Sequence, residues 1–153
     1  MTTTSPRNTV LTEPDGTAVY KVSTPRKLGN RITTITRGDD SEVVAVIHWN
    51  LITKNTITMD GKTQTFDEVF PKPKKLSRSR VYTTAGGEKF RWKNTIKLYC
   101  ISESTGLSLA TYYRVALGGI RSTKSTLDIS PDAIHLKDIL VVTWSIMETE
   151  GED

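Results

Sequence analysis

The sequence predicts a mainly β fold: an antiparallel barrel or sandwich completed by one hydrophobic C-terminal helix. Three observations carry that reading. Short β-branched and aromatic stretches alternate with Gly, Asp and Ser clusters along most of the chain. No helical periodicity precedes residue 130. Finally, "ILVVTWSIM", Ile139 to Met147, has no polar side: seven of its nine residues are apolar and the others are the small Thr143 and Ser145.

In chain order, residues 1 to 8 are polar, contain Pro6 and predict a disordered tail. "EPDGT" (13 to 17) holds an Asp-Gly turn. "RGDDSE" (37 to 42) divides "RITTIT" from "VVAVIHW", and "MDGK" (59 to 62) divides "TITM" from "TQTF". "TAGGEK" (84 to 89) divides "RVYT" from "FRW", and "SESTGL" (102 to 107) divides "IKLYCI" from "SLATYYRV". Each is a hairpin signal, and about ten short strands imply a sandwich or a barrel. In "LSLATYYRV", Leu107, Leu109, Thr111, Tyr113 and Val115 share one face, and Ser108, Ala110, Tyr112 and Arg114 the other. "VVAVI" (43 to 47) does not alternate, which predicts that both its faces are covered.

The last segment differs. Ser130 suits an N-cap, Pro131 the first helical position, and Asp132 the first turn, where the helix dipole favours negative charge. A core helix over about 131–149 follows. The β-branched Ile139, Val141 and Val142 also fit a strand, which would have to be central and buried on both sides. A helix apolar all round must likewise be surrounded by protein. Residues 151–153 read as an acidic tail.

Composition bounds the function. The 153 residues suit one domain, here residues 9–150, with 36% apolar and 25% charged residues and a formal charge of +4. That charge favours anionic partners without demanding nucleic acid. Cys100 is the only cysteine, so no internal disulfide forms. The N-terminus lacks the apolar core of a signal peptide, and the longest apolar run, "ILVV", is far short of a span of roughly 20 residues. A cytoplasmic protein is the default expectation.

Catalytic chemistry has little to build on. His48, in "VIHWN", and His135, in the first helical turns, read as structural. Cys100 reads as a small core residue. These three have no metal-ligand spacing, and neither cofactor nor metal is implied. Asp39, Asp40 and Glu42 fit a solvated hairpin turn better than a cation site. "AGGE" and "LGGI" (117 to 120) lack the lysine spacing of a phosphate loop. Trp49, Trp92 and Trp144 have apolar neighbours and read as core.

One cluster stands out. "PKPKKLSRSR" (71 to 80) holds Lys72, Lys74, Lys75, Arg78 and Arg80 with no acid. If Gly86 and Gly87 form a two-residue turn, Arg80 faces Lys93, Tyr82 faces Arg91 and Thr84 faces Lys89 outside, while Val81 faces Trp92 and Thr83 faces Phe90 inside. Arg78, Arg80, Lys89, Arg91 and Lys93 would then share an outer face. Like charges opposite one another cost stability, so such a face suits an anion. With Tyr82 its only outward aromatic, it lacks the stacking platforms of single-strand nucleic-acid binding.

"DGTAVYKVSTP" (15 to 25), "TTITR" (33 to 37), "AVIHWN" (45 to 50), "ATYYR" (110 to 114) and "DILVVTWSIMETE" (138 to 150) together resemble a family of small uncharacterised domains abundant in mushroom-forming fungi. That family is grouped with the Tubby C-terminal-like fold, beside the LURP-one-related proteins and the phospholipid scramblases. The resemblance covers roughly residues 9 to 150. It implies a closed, roughly twelve-stranded antiparallel barrel around a hydrophobic helix. Relatives in this fold group bind phosphoinositides or act at membranes. The implied function is therefore a non-enzymatic, peripheral module that binds anionic phospholipid through Lys72, Lys74, Lys75, Arg78, Arg80, Lys89, Arg91 and Lys93. The alternative is a protein-interaction or structural module without a lipid ligand, such as a homodimer along a strand edge. The acidic end, Glu148, Glu150, Glu152 and Asp153, departs from the basic residues expected of the family there.

Overall fold

The computed structural model describes residues 1–3, 7–26, 28–38, 42–114 and 125–152. Twelve strands are formed: β1 (Thr2–Thr3), β2 (Thr9–Thr12), β3 (Ala18–Ser23), β4 (Arg31–Arg37), β5 (Glu42–Trp49), β6 (Thr56–Met59), β7 (Lys62–Thr65), β8 (Arg80–Thr83), β9 (Lys89–Asn94), β10 (Leu98–Ser102), β11 (Ser108–Tyr113) and β12 (Ser125–Ile129). A short helix, α1 (Phe66–Val69), separates β7 from β8, and a long one, α2 (Lys137–Glu152), ends the fold. The strands make one antiparallel sheet in the order β7-β6-β5-β4-β3-β2-β1-β12-β11-β10-β9-β8. Sequential hairpins build each half, and β7 and β8 are the two edges.

The join between the halves is β1. Thr2 and Thr3 lie opposite Thr126 and Ser125 of β12, and Thr2 opposite Thr12 of β2. The Met1 amine donates to the Leu127 carbonyl at 2.9 Å. The start of the polar segment expected as a tail is thus a strand, because backbone pairing asks only for extended residues and threonine is a good strand former. Residues 4–6 of that segment lie outside the described residues.

Inward positions alternate as a one-sided sheet requires. Tyr20 and Val22, Ala45 and Ile47, Phe90 and Trp92, and Ala110 and Tyr112 are all buried. The expectation that "VVAVI" is covered on both faces does not hold. Ala45 and Ile47 point inward, while Val43 is exposed and Val44 and Val46 are half-buried. A run of β-branched residues also suits the outer surface of a sheet, where strand propensity rather than burial selects them.

The interior is filled by α2. Every residue from Leu140 to Thr149 is buried, which places "ILVVTWSIM" inside the sheet as a helix. The helix expected from residue 131 begins as a 3₁₀ segment, Pro131–Leu136. The Ser130 side chain makes no capping bond; its carbonyl accepts from the Ala133 amide at 2.9 Å instead. The expected acidic tail is partly helical, since α2 runs to Glu152. Burying the seven apolar side chains of Ile139–Met147 at roughly 1.5–3 kcal/mol each gives on the order of 10–20 kcal/mol gross.

Polar groups on α2 are handled individually. The Thr143 hydroxyl donates to the Ile139 carbonyl at 2.7 Å and accepts from Trp92 Nε1 at 2.7 Å. Trp144, edge-on to Tyr112 at 5.3 Å, has no acceptor for its indole N–H. At the N-terminal end, Asp138 accepts from the Tyr20 hydroxyl and pairs with Arg37, which also reaches Glu42 at 2.6 Å. Burial pushes the Asp138 pKa up, but hydrogen bonds from Arg37 and Tyr20 and the nearby positive charges outweigh it, leaving the carboxyl below its ordinary value.

Two outcomes are expected. Thr143→Val leaves Trp92 Nε1 buried without an acceptor and should cost about 1–3 kcal/mol in urea unfolding. An unchanged midpoint would mean that the bond adds nothing. Because the Asp138 pKa is depressed in the fold, its contribution is present above the unfolded carboxylate pKa and is lost as pH falls through the folded value. Wild type should therefore lose stability below about pH 4, and Asp138→Asn should lose it less steeply.

Candidate anion-binding site

The site is organised by the β8–β9 hairpin, whose register differs from the expected one. Arg80 lies opposite Trp92, Val81 opposite Arg91, Tyr82 opposite Phe90 and Thr83 opposite Lys89. The Thr84 amide donates to the Glu88 carbonyl at 2.8 Å and the Gly87 amide to the Thr84 carbonyl at 2.9 Å. With Gly87 at φ +88°, the connection is three residues long, Ala85 to Gly87, and not the two-residue turn expected. A one-residue slip exchanges the faces of a strand. Arg80 and Tyr82 therefore turn inward, and Val81 turns outward.

Arg80 is consequently not an outer-face cation. Its side chain is only 7% exposed. It donates twice to the Glu150 carboxylate, both at 2.8 Å, and once to the Phe70 carbonyl at 2.7 Å. Its guanidinium lies over the Phe66 and Phe70 rings, 5.5 and 5.8 Å from their centroids. Both rings come from α1 and its C-cap. That helix is started by a capping box: the Glu68 amide donates to the Thr65 hydroxyl at 3.3 Å, and the Thr65 amide donates to Glu68 Oε1 at 3.2 Å. "TQTF", expected as a strand throughout, changes to helix at Phe66 for this reason.

The segment 66–79 runs between the two sheet edges. The Phe66 amide donates to the Asn55 carbonyl at 3.1 Å on one side, and the Val81 amide to the Pro71 carbonyl at 2.9 Å on the other. Beyond Pro71 the chain bulges outward around a turn closed by Ser77 N–H to Lys74 carbonyl at 2.9 Å. Between this bulge and the C-terminal end of α2 lies a cleft of about 600 Å³. Lys72, Lys75, Arg78 and Arg80 line it, with Trp49, Asn55, Asn94, Met147 and Glu150 on the remaining walls. Gly151 lies close to Asn94, where a side chain's Cβ would come within 3.2 Å of the Asn94 amide nitrogen.

The cleft's electrostatics follow from this pairing. Glu150 neutralises Arg80, leaving Lys72, Lys75 and Arg78 without a carboxylate among the described residues. Glu148 is also committed, since it accepts from Arg114 at 2.6 to 3.0 Å, and Arg114 reaches Asn94 at 3.3 Å. Together, Arg114 and Arg80 tie the end of α2 to β11 and β8. Glu148 and Glu150, two of the acids at the C-terminal end, thus serve as internal partners of arginines.

The other expected site residues do not join this cleft. Lys74 lies on the exposed outside of the bulge. Lys89, Arg91 and Lys93 lie on the outer face of β9, where Arg91 pairs with Glu103 at 2.6 Å. Lys89 borders a shallow depression at the opposite end of the sheet, beside Glu88 and His135. The eight-residue outer face thus divides, with four members in the cleft and four outside it. Asn55, Asn94 and Glu150 were not foreseen; the Thr65–Glu68 capping pair was the one readable sign of the bend that positions them.

Cys100 is fully buried, and burial pushes its thiol pKa well up. His48 lies half-buried in β5 opposite Thr56, and His135 lies 3.4 Å from Glu88. No cluster of metal-binding side chains occurs among the described residues. Trp49, Trp92 and Trp144 are buried, as expected. Asp39, Asp40 and the "LGGI" segment lie outside the described residues. Among the described residues, no helix is long and apolar enough to cross a membrane.

These features define an antiparallel β protein built on an internal helix, with a basic cleft at the sheet seam. The model of a family of unknown function, DUF6593, matches residues 4–153, and the chain belongs to that family. No curated protein and no solved structure matches it.

Glu150→Gln should cost about 2–4 kcal/mol, because it leaves the Arg80 guanidinium buried without its carboxylate while Glu150 itself keeps some solvent. Combining Arg80→Met with Glu150→Met should recover most of that loss in chemical denaturation. A double variant no more stable than Glu150→Gln would show that the pair does more than balance charge.

Proposed function

We propose that the chain is a non-enzymatic, Tubby-like module that binds anionic phospholipid headgroups, of the phosphoinositide class, in the cleft beside segment 66–79. The observation that carries this reading is the set of three cations, Lys72, Lys75 and Arg78, left without carboxylates around one concavity. The Asn55 and Asn94 amides add neutral donors suited to phosphate or hydroxyl oxygens. Pro71 and Pro73 limit the freedom of the bulge and so lower the entropy lost on binding.

The Tubby-like reading rests on α2 being buried along its length and on what spans the gap between β7 and β8. Phe66, Phe70 and Arg80 fill that gap, and the backbone bonds to Asn55 and Pro71 hold the segment to both edges. In this proposal they complete a barrel that strand pairing leaves open. The fold analogy adds weight to a membrane-surface role without fixing the ligand. A protein-interaction module is the second reading, favoured by β7, an edge strand that could pair with another chain.

Vesicle co-sedimentation tests the proposal. Each basic residue near an anionic bilayer contributes about 1 kcal/mol, so reversing Lys72, Lys75 and Arg78 to Glu should weaken binding by about a hundredfold or more. Lys89→Glu with Lys93→Glu should change it far less. Equal pelleting with neutral and phosphoinositide-bearing vesicles would sink the lipid reading. A dimer in light scattering that is lost when proline is placed in β7 would support the second reading.

A further inference from the structure

The large apolar side chains with the greatest exposure are not scattered. Among the described residues, Leu28, Leu51, Ile52, Leu76 and Ile96 are all at least 75% exposed, and the next, Leu107, reaches 65%. The antiparallel order places the five on loops at one end of the sheet: the β3–β4, β5–β6, α1–β8 and β9–β10 connections. Direct contacts agree. The Leu51 amide donates to Asn30 Oδ1 at 3.0 Å, joining the first two loops. The cleft wall then joins Asn55, Leu76 and Asn94 to the end of α2. Leu107 lies at the other end, with His135 and Glu88.

Isolated exposed aliphatic residues are ordinary on protein surfaces. Five on four loops at one end, with Leu107 the most exposed at the other among the described residues, are not. Basic residues stand beside each tip: Arg26 near Leu28, Lys54 near Ile52, Lys72 and Lys75 near Leu76, and Lys97 after Ile96. The acids at this end are largely engaged, Asp67 with Lys54 at 3.7 Å, Glu68 with Thr65, Glu148 with Arg114 and Glu150 with Arg80. Glu152 and Asp153 follow in sequence.

We infer that this end of the molecule is a bilayer-inserting face, on which the aliphatic tips enter the lipid while the surrounding lysines and arginines meet anionic headgroups. The inference rests on the phospholipid reading above and adds an orientation: α2 stands along the membrane normal with its C-terminus toward the lipid. The charge pattern selects the occupant. A protein interface is centred on packed anchors, commonly aromatic or arginine, in a water-excluded core. Five aliphatic residues on four separate loops, each loop with a cation, offer no such centre. A fluid bilayer accepts separate tips without shape matching, and its anionic surface complements the cations.

The test labels single cysteines, Ile52→Cys, Leu76→Cys and Leu107→Cys, with an environment-sensitive fluorophore; native Cys100 is buried and should not react. With phosphatidylcholine vesicles carrying phosphatidylinositol bisphosphate, the labels at 52 and 76 should shift to the blue and the label at 107 should not. Replacing Ile52, Leu76 and Ile96 together by Ser should weaken vesicle binding about tenfold or more, with the thermal midpoint unchanged. Calorimetry with soluble inositol trisphosphate separates the two claims. Headgroup binding with no shift at 52 or 76 on bound vesicles would overturn insertion and leave the cleft reading standing. Neither headgroup nor vesicle binding would overturn both. A shift at 107 as well, or a shift at 52 driven by protein concentration without vesicles, would overturn this orientation, the latter in favour of a second copy of the chain.

Discussion

A helix with no polar side can exist in water only when protein covers it all round, and α2 imposes that condition on the whole molecule. Ten consecutive residues, Leu140 to Thr149, are buried, so no outward stripe is left for solvent. One sheet face cannot cover a helix on every side. Twelve strands in a single curved antiparallel order can, and the inward side chains come from both halves of the order. The sheet's other face is then the outer surface of the molecule, which is why β-branched residues such as Val43 and Val46 are found there without a second layer.

The same condition sorts the charges. A carboxylate in the middle of α2 would lose its hydration with no partner nearby, at a cost of several kcal/mol. Among the described side chains of the helix, the carboxylates are confined to its two ends: Asp138 near the start, and Glu148 and Glu150 near the finish. Each meets an arginine carried by the sheet: Arg37 on β4, Arg114 just beyond β11 and Arg80 on β8. These pairs fix the axial position of the helix, a job that apolar packing does poorly because aliphatic contacts tolerate sliding. They also leave Lys72, Lys75 and Arg78, at the C-terminal end, without a carboxylate among the described residues.

Much of this was legible in the sequence, for reasons particular residues make plain. The apolar run from Ile139 marked a segment enclosed by protein, and the Ser130-Pro131-Asp132 start favoured a helix over a central strand. The Gly and Asp clusters located the hairpins, and the run of Lys72 to Arg80 located the basic site. What failed was finer. A two-residue and a three-residue turn at "TAGGEK" differ by one residue, yet they put Arg80 on opposite faces of the sheet. Sequence alone weighted the lone arginine as a surface charge, since its partner Glu150 lies 70 positions away. The Thr65–Glu68 capping box was visible but sat inside a stretch whose threonines favoured a strand. The β1 pairing carried no side-chain signal at all.

The place where prediction failed is also where the candidate site lies, and the two facts have one cause. Within the strand order the sheet satisfies its backbone by regular pairing. Between the edge strands β7 and β8 the chain instead runs through a capped helical turn, two buried phenylalanines and an inward arginine. Such a connection is irregular, so it resists pattern-based reading. For the same reason it can bulge at Pro71–Ser79, carry cations clear of the sheet and leave a cleft beneath them. Arg80 links the two roles. Its guanidinium ties the seam to Glu150, and by engaging that carboxylate it leaves Lys72, Lys75 and Arg78 free of a neutralising acid.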